Sequence, residues 1–131
     1  MNRAAVSIGS NIDPEENARK AVEILSRNFP GLKFSSFVFT KAIGYTEQPD
    51  FLNGAVLIFT DLNLAQLTDN LKKIEAGMGR VRGELKNGPR IIDLDIVVWN
   101  GEVVDEDFYK RRFLRDAILE LIPDIADRQI Q

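Results

Sequence analysis

Twice along this chain an apolar repeat with helical spacing stands between short apolar runs that have the continuity of buried strands. Ala18, Ala21, Val22 and Leu25 recur on one helical face, and Leu64, Leu67, Leu71, Ile74 and Met78 alternate steps of three and four. Helix-period and strand-period segments cannot exchange places without exposing their apolar sides. The alternation therefore restricts the chain to a layered arrangement of helices on a sheet.

The punctuation sharpens that pattern. Residues 4–8 read as a buried strand ended by the turn residues Gly9-Ser10-Asn11. Asp13-Pro14-Glu15-Glu16 predicts a helix start, with Asp13 as N-cap, Pro14 in the first turn and Glu16 at the capping-box position, and Phe29-Pro30-Gly31 predicts its end. Residues 33–40, rich in Phe and Val, predict a second strand, and residues 41–50 a loop. Residues 53–59 predict a third strand buried on both faces. The second helix begins near Asn63 and ends at Gly77 and Gly79, before a basic loop over residues 80–89 and a strand over residues 91–99. Asn100-Gly101 predicts a hairpin that pairs Val103 and Val104 back on that strand. Leu114, Ala117, Ile118, Leu121 and Ile122 predict a last short helix stopped by Pro123. The expected fold is α+β, a ferredoxin-like βαββαβ with an added C-terminal hairpin and short helix.

At 131 residues, 44% hydrophobic and 28% charged, the chain fits one globular domain over residues 1–131. The start has no signal-peptide pattern, and no run approaches the roughly 20 apolar residues that span a bilayer, so a cytoplasmic protein without a membrane partner is expected. With no cysteine there are no disulfides, thiolate metal sites or cysteine nucleophiles. With no histidine the commonest general base and every Ser-His-Asp or Cys-His mechanism are excluded. What remains is the chemistry of carboxylates, arginines, lysines and oxygen-seeking cations. A net charge of −3 argues against a nucleic-acid partner, whose footprint is basic.

Asp93 and Asp95 lie two apart in the strand-like run Ile91-Ile92-Asp93-Leu94-Asp95-Ile96-Val97, so they project to one side while Leu94 and Ile96 face the core. Two unpaired carboxylates about 6 Å apart repel by about 3 kcal/mol at an effective dielectric of about 20. A solvent-facing edge with two harmless acids fits the bare spacing; the flanking charges favour a cation held between them. Arg80, Arg82, Lys86 and Arg90 precede the pair within eleven residues, against the single acid Glu84. Arginine forks match phosphate oxygens, and paired carboxylates with arginines on a loop are the equipment of phosphoryl transfer. A further run, Lys110-Arg111-Arg112 with Arg115, is either a set of phosphate contacts or a solvated stretch of loop.

The string Lys86-Asn87-Gly88-Pro89-Arg90-Ile91-Ile92-Asp93-Leu94-Asp95-Ile96-Val97 closely resembles the signature of the 6-hydroxymethyl-7,8-dihydropterin pyrophosphokinase family of folate biosynthesis. Ser7-Ile8-Gly9-Ser10-Asn11, Gln48-Pro49-Asp50-Phe51-Leu52-Asn53, and Ile74-Glu75 followed by Gly79-Arg80-Val81-Arg82 are similar to further family segments, in the same order. The resemblance implies transfer of pyrophosphate from ATP to the pterin hydroxymethyl oxygen, with two magnesium ions on Asp93 and Asp95. It implies Arg82 and Arg90 on the triphosphate, Arg80 assisting, and Glu75, Ile96 and Arg115 near the nucleotide. Phe51 would stack on the pterin, Asn53 would bond its edge, and Thr40, Ala42 and Ile43 would complete that pocket. Each has a plainer reading: Phe51 as a core aromatic, Asn53 as a turn cap, Glu75 in a helix-surface pair with Lys72 or a loop arginine.

The likeness weakens after Val104. Phe108-Tyr109 stands where the family usually has a Pro-His pair that reaches ATP, and Asn87 stands where it has a loop aromatic. Its second pterin-stacking aromatic falls on Ala117, or on Phe113 if the local path differs. A small-molecule enzyme acting as a monomer is expected, the alternative being a catalytically weak or inactive relative that serves as a nucleotide- or pterin-binding module.

Overall fold

A computed structural model describes residues 1–42, 47–80 and 89–125. Its elements run β1 (Asn2–Ser10), α1 (Pro14–Asn28), β2 (Lys33–Phe34), β3 (Val38–Thr40), β4 (Phe51–Thr60), α2 (Leu64–Gly77), β5 (Asp93–Trp99), β6 (Glu102–Val103), α3 (Asp107–Lys110) and α4 (Arg112–Leu121). The strands form one sheet in the order β2-β4-β1-β5-β6, with β3 also on β4 and every pairing antiparallel. β4 stands between β1 and β2, and β1 stands between β4 and β5. Each βαβ unit is thus split by a strand of the other, the expected α+β order.

Alternation along the central strands sorts the core into two layers. Ala4, Val6 and Ile8 of β1, with Val56 and Ile58 of β4, pack against Ala21 and Leu25 of α1 and Leu67, Leu71 and Ile74 of α2. Ala5, Ala55 and Leu57 face the other way, against Leu114, Ala117 and Ile118 of α4, with Phe108 and Ile122. The final helix therefore covers the second face of the sheet. A register shift between Ala5 and Val6, where Val6 meets Ile96 but Ala5 meets Val98, leaves Val97 as an extra residue in β5. Val97 and Val98 both join the α4 layer, and Trp99 packs with the other.

Several local expectations change. Asp13 does not cap α1 with its side chain: its backbone is left-handed (φ 41°, ψ 54°), and its carbonyl accepts from Asn17 N at 2.9 Å while Asn17 Nδ2 donates to Ile12 O. The true capping box is in α2, where Asn63 Oδ1 accepts from Gln66 N and Gln66 Oε1 accepts from Asn63 N. The strand expected over residues 33–40 is broken, because the Ser35 hydroxyl replaces a backbone carbonyl as acceptor for Ala55 N at 2.9 Å. Ser36 turns outward, its N and Oγ donating to Glu120 on α4. β5 begins at Asp93, leaving Ile92 wholly buried before it. Asn100 and Gly101 take φ of 49° and 85°, the left-handed pair of a tight hairpin turn; as expected Val103 pairs with Val98 and Val104 N donates to Val97 O at 2.8 Å, with Glu102 pairing to Trp99 before them. Among the described residues no helix is long and apolar enough to cross a membrane.

Candidate active site

The register fixes the acids before any side chain is considered. Asp93 lies opposite Gly9 and Asp95 opposite Ser7, while Gly9 lies opposite Asn53 on the other side of β1. Directly paired residues share a face, so Asp93, Asp95, Asn53 and, two residues on, Phe51 all point to the α4 side. Leu94 and Ile96 point to the α1 and α2 layer, as the spacing predicts.

Two cavities open here. The smaller, about 240 Å³, lies between the sheet and α4, with Thr40, Phe51 and Asn53 on one wall and Arg111, Phe113 and Ala117 on the other. The larger, about 860 Å³, runs along α2 and β5 past Leu71, Glu75 and Ile96 to Val104. Arg80, Arg90, Asp93, Asp95 and Asp105 line both. Charge is thus concentrated where the two spaces meet.

Glu75 does pair with an arginine, Arg80, as the plainer reading allows, but not at the surface. It is buried, 7% exposed, and its Oε2 accepts from Leu94 N at 2.7 Å and from Arg80 Nη1 at 2.8 Å. Among the described residues the first half of β5 has no partner strand on that side, so this carboxylate satisfies an open strand edge. Burial raises its pKa; the Leu94 and Arg80 hydrogen bonds act against that rise, and Asp93 adds to it. Arg80 Nη1 also donates to Asp93 Oδ1 at 2.8 Å.

Asp95 has no lysine or arginine partner among the described residues. The residue as a whole is open to solvent, but its carboxyl stands in the concave junction, where withdrawal from bulk water pushes its pKa up to about 7. The charges of Asp93, Glu75 and Asp105 push the same way. Solvent on the open side weakens the burial contribution, so crowding of acids is what an arriving cation would relieve. In the smaller cavity Asn53 Nδ2 donates to Thr40 Oγ1 at 2.7 Å. Gly9 is the floor: a Cβ there would stand 3.2 Å from Asn53 Oδ1.

The remaining expected residues divide. Ala42 is buried and lines neither cavity. Arg82 and Ile43 lie outside the described residues. Arg115 lines neither cavity either, and its guanidinium donates to Tyr109 O at 3.4 Å. From the basic run it is Arg111 that reaches the smaller cavity, while Lys110 pairs with Glu106 and Arg112 with Asp116 at the surface. Phe113 lines the smaller cavity together with Ala117, so the aromatic wall exists. Phe108 is a core residue and exposed Tyr109 lines neither cavity. Sequence reasoning missed Asp105, although its signal was present: continuing the hairpin pairing of Val98 with Val103 brings residue 105 alongside residue 96.

Acids and arginines at the meeting point of an aromatic-walled cavity and a larger cleft define a group-transfer site for an anionic co-substrate. Comparison with known proteins gives the same direction. The pattern of the 7,8-dihydro-6-hydroxymethylpterin-pyrophosphokinase (HPPK) family matches residues 5–123, and the chain belongs to that family. It is 36% identical to the 2-amino-4-hydroxy-6-hydroxymethyldihydropteridine pyrophosphokinase of Bacillus subtilis (strain 168), over 95% of this chain and 80% of the relative. It is 38% identical to the enzyme of that name from Methylorubrum extorquens, over 94% and 80%. It is also 35% identical to the folic acid synthesis protein fol1 of Schizosaccharomyces pombe, over 94% of this chain but 18% of that longer protein.

Proposed function

We propose that this chain transfers pyrophosphate from ATP to 6-hydroxymethyl-7,8-dihydropterin, giving AMP and the pterin diphosphate, with the pterin in the smaller cavity and the nucleotide in the larger. The observation that carries the assignment is the convergence of both cavities on Arg80, Arg90, Asp93 and Asp95. A direct transfer needs both substrates to meet at one point, and an in-line displacement needs little from the protein beyond positioning and charge compensation.

Phe51 and Phe113 supply aromatic surfaces for a flat heterocycle, and the Thr40 and Asn53 pair supplies polar groups for its edge. Leu71, Ile96 and Val104 give the larger cavity an apolar stretch for a base. Arg90 and Arg80 face the triphosphate, with Arg82 expected to join them. Arg111, rather than Arg115, is the cation from the C-terminal run.

The acids fit magnesium. They offer only hard oxygen donors, and among the described residues no group of three or more His, Cys, Asp or Glu forms a closed cage. Two carboxylates completed by phosphate and water oxygens is how that ion binds. Bound there, expected as two ions, it would neutralise triphosphate charge. Asp93 and Asp95 would hold the ions, and Glu75 holds Arg80 beside them. The hydroxymethyl oxygen bonds to the β-phosphorus as the bond to the α–β bridging oxygen breaks, AMP leaving with that oxygen and the hydroxyl proton passing to solvent.

The test is a coupled assay for AMP with Mg-ATP and the hydroxymethyl pterin. Magnesium-dependent AMP formation is expected, lowered by at least about 100-fold in Asp95→Ala. No AMP from the wild-type chain overturns the proposal.

A further inference from the structure

Asn11 touches neither cavity, yet it holds the chain segments that furnish both. It is buried, 3% exposed, at the end of β1. Its Nδ2 donates to Gln48 Oε1 at 2.7 Å and to Pro49 O at 3.1 Å, two residues before Phe51. Its Oδ1 accepts from Arg90 N at 2.8 Å, and its own N donates to Arg90 O at 3.1 Å, three residues before Asp93. These partners lie 37, 38 and 79 residues away in the chain. Both Nδ2 hydrogens, the carboxamide oxygen and the backbone N–H are all engaged.

We propose that Asn11 is a positioning residue that couples the two substrate cavities, one arm of its carboxamide setting the Phe51 and Asn53 wall and the other setting Arg90. The inference rests on the cavity assignment above. Among uncharged side chains of this size, a carboxamide alone supplies two donors and an acceptor from one rigid plane, so the two segments are held relative to each other and not merely to the core. A small displacement of either segment moves a group that must meet its counterpart across the junction, where misplacement by about 1 Å costs about 100-fold in rate. Leucine would keep the same branching of heavy atoms and remove both hydrogen-bonding arms from the Arg90 N–H and the Pro49 carbonyl.

The arms can be separated. Asn11→Asp keeps an acceptor for Arg90 N but sets a carboxylate oxygen against two acceptors, Gln48 Oε1 and Pro49 O. Expected is a rise of roughly 5- to 20-fold in the pterin KM with the Mg-ATP KM within about twofold of wild type. Asn11→Ala, which loses both arms, should raise both KM values and lower kcat. Gln48→Met, which keeps the Pro49 contact, should give a smaller rise in the pterin KM alone. Hydrogen exchange on the ligand-free proteins gives a readout independent of turnover. Asn11→Asp should loosen residues 47–53 and spare residues 89–93, whereas Asn11→Ala should loosen both. The proposal is overturned if Asn11→Asp loses thermal stability while both KM values stay at wild type, or if exchange rises equally in the two segments. A wild-type chain that makes no AMP defeats the substrate assignment instead, and the exchange pattern still decides the role of Asn11.

Discussion

Arg80 Nη1 donates to Asp93 Oδ1 at 2.8 Å, so an arginine stands on one of the two acids that face the cavity junction. The same nitrogen is bonded to buried Glu75 at 2.8 Å. Arg80 therefore competes with any divalent cation for Asp93 while remaining anchored by Glu75. In Arg80→Ala, Mn²⁺ binding measured without nucleotide should tighten by about 3- to 10-fold, because Asp93 loses a partner it must surrender. Unchanged or weaker binding would show that the pair does not oppose the metal. Urea denaturation should meanwhile show a loss of about 1–3 kcal/mol, because Glu75 keeps its burial and loses its counter-ion.

Asp95 makes the ligand-free fold sensitive to pH. Its folded pKa of about 7 lies above the ordinary carboxylate value of 3.8, so between those limits the folded chain holds a proton that the unfolded chain has lost. Stability therefore falls as pH rises through that window and is fully restored only below it. Asp95→Asn should flatten the decline in Tm between pH 5 and pH 8, by at most about 3 °C because solvent screens the open side. An identical decline in mutant and wild type would place the proton elsewhere.

Gly54 and Gly77 should respond in opposite directions to the same substitution. A Cβ at Gly54 would stand 2.6 Å from the Phe37 ring, which packs flat against that backbone, so Gly54→Ala should cost about 1–3 kcal/mol in denaturant unfolding. At Gly77, the last residue of α2, nothing lies within 4 Å, and Gly77→Ala should add about 0.4–1 kcal/mol.

The aromatic walls should discriminate between substrates. Phe113→Ala or Phe51→Ala should raise the pterin KM by about tenfold and leave the Mg-ATP KM within about twofold, since both rings line the smaller cavity only. Equal rises for both substrates in steady-state kinetics would remove the pterin from that cavity.

What a local pattern can encode was readable in advance. Leu67, Leu71 and Ile74 face the core because a period near 3.6 leaves one apolar stripe, and Asp93 and Asp95 share a side because a strand has period two. The Asn100-Gly101 turn followed from the residues that tolerate positive φ, and absence of histidine and cysteine narrowed the chemistry to carboxylates and arginines. Misreadings arose where a side chain took a backbone role, as Ser35 did on Ala55, or where the backbone conformation denied a side chain its expected role, as at left-handed Asp13 before α1. Choosing Arg111 over Arg115 and Phe113 as the second aromatic needed the path of α3 and α4, because a helix of known sequence can present any face until its neighbours are fixed. Tertiary structure alone turned Glu75 from a surface position into the acceptor for a bare strand edge and joined Asn11 to loops far away in the chain. Those placements depend on contacts across sheet and layers, and such contacts leave no periodic trace in a sequence.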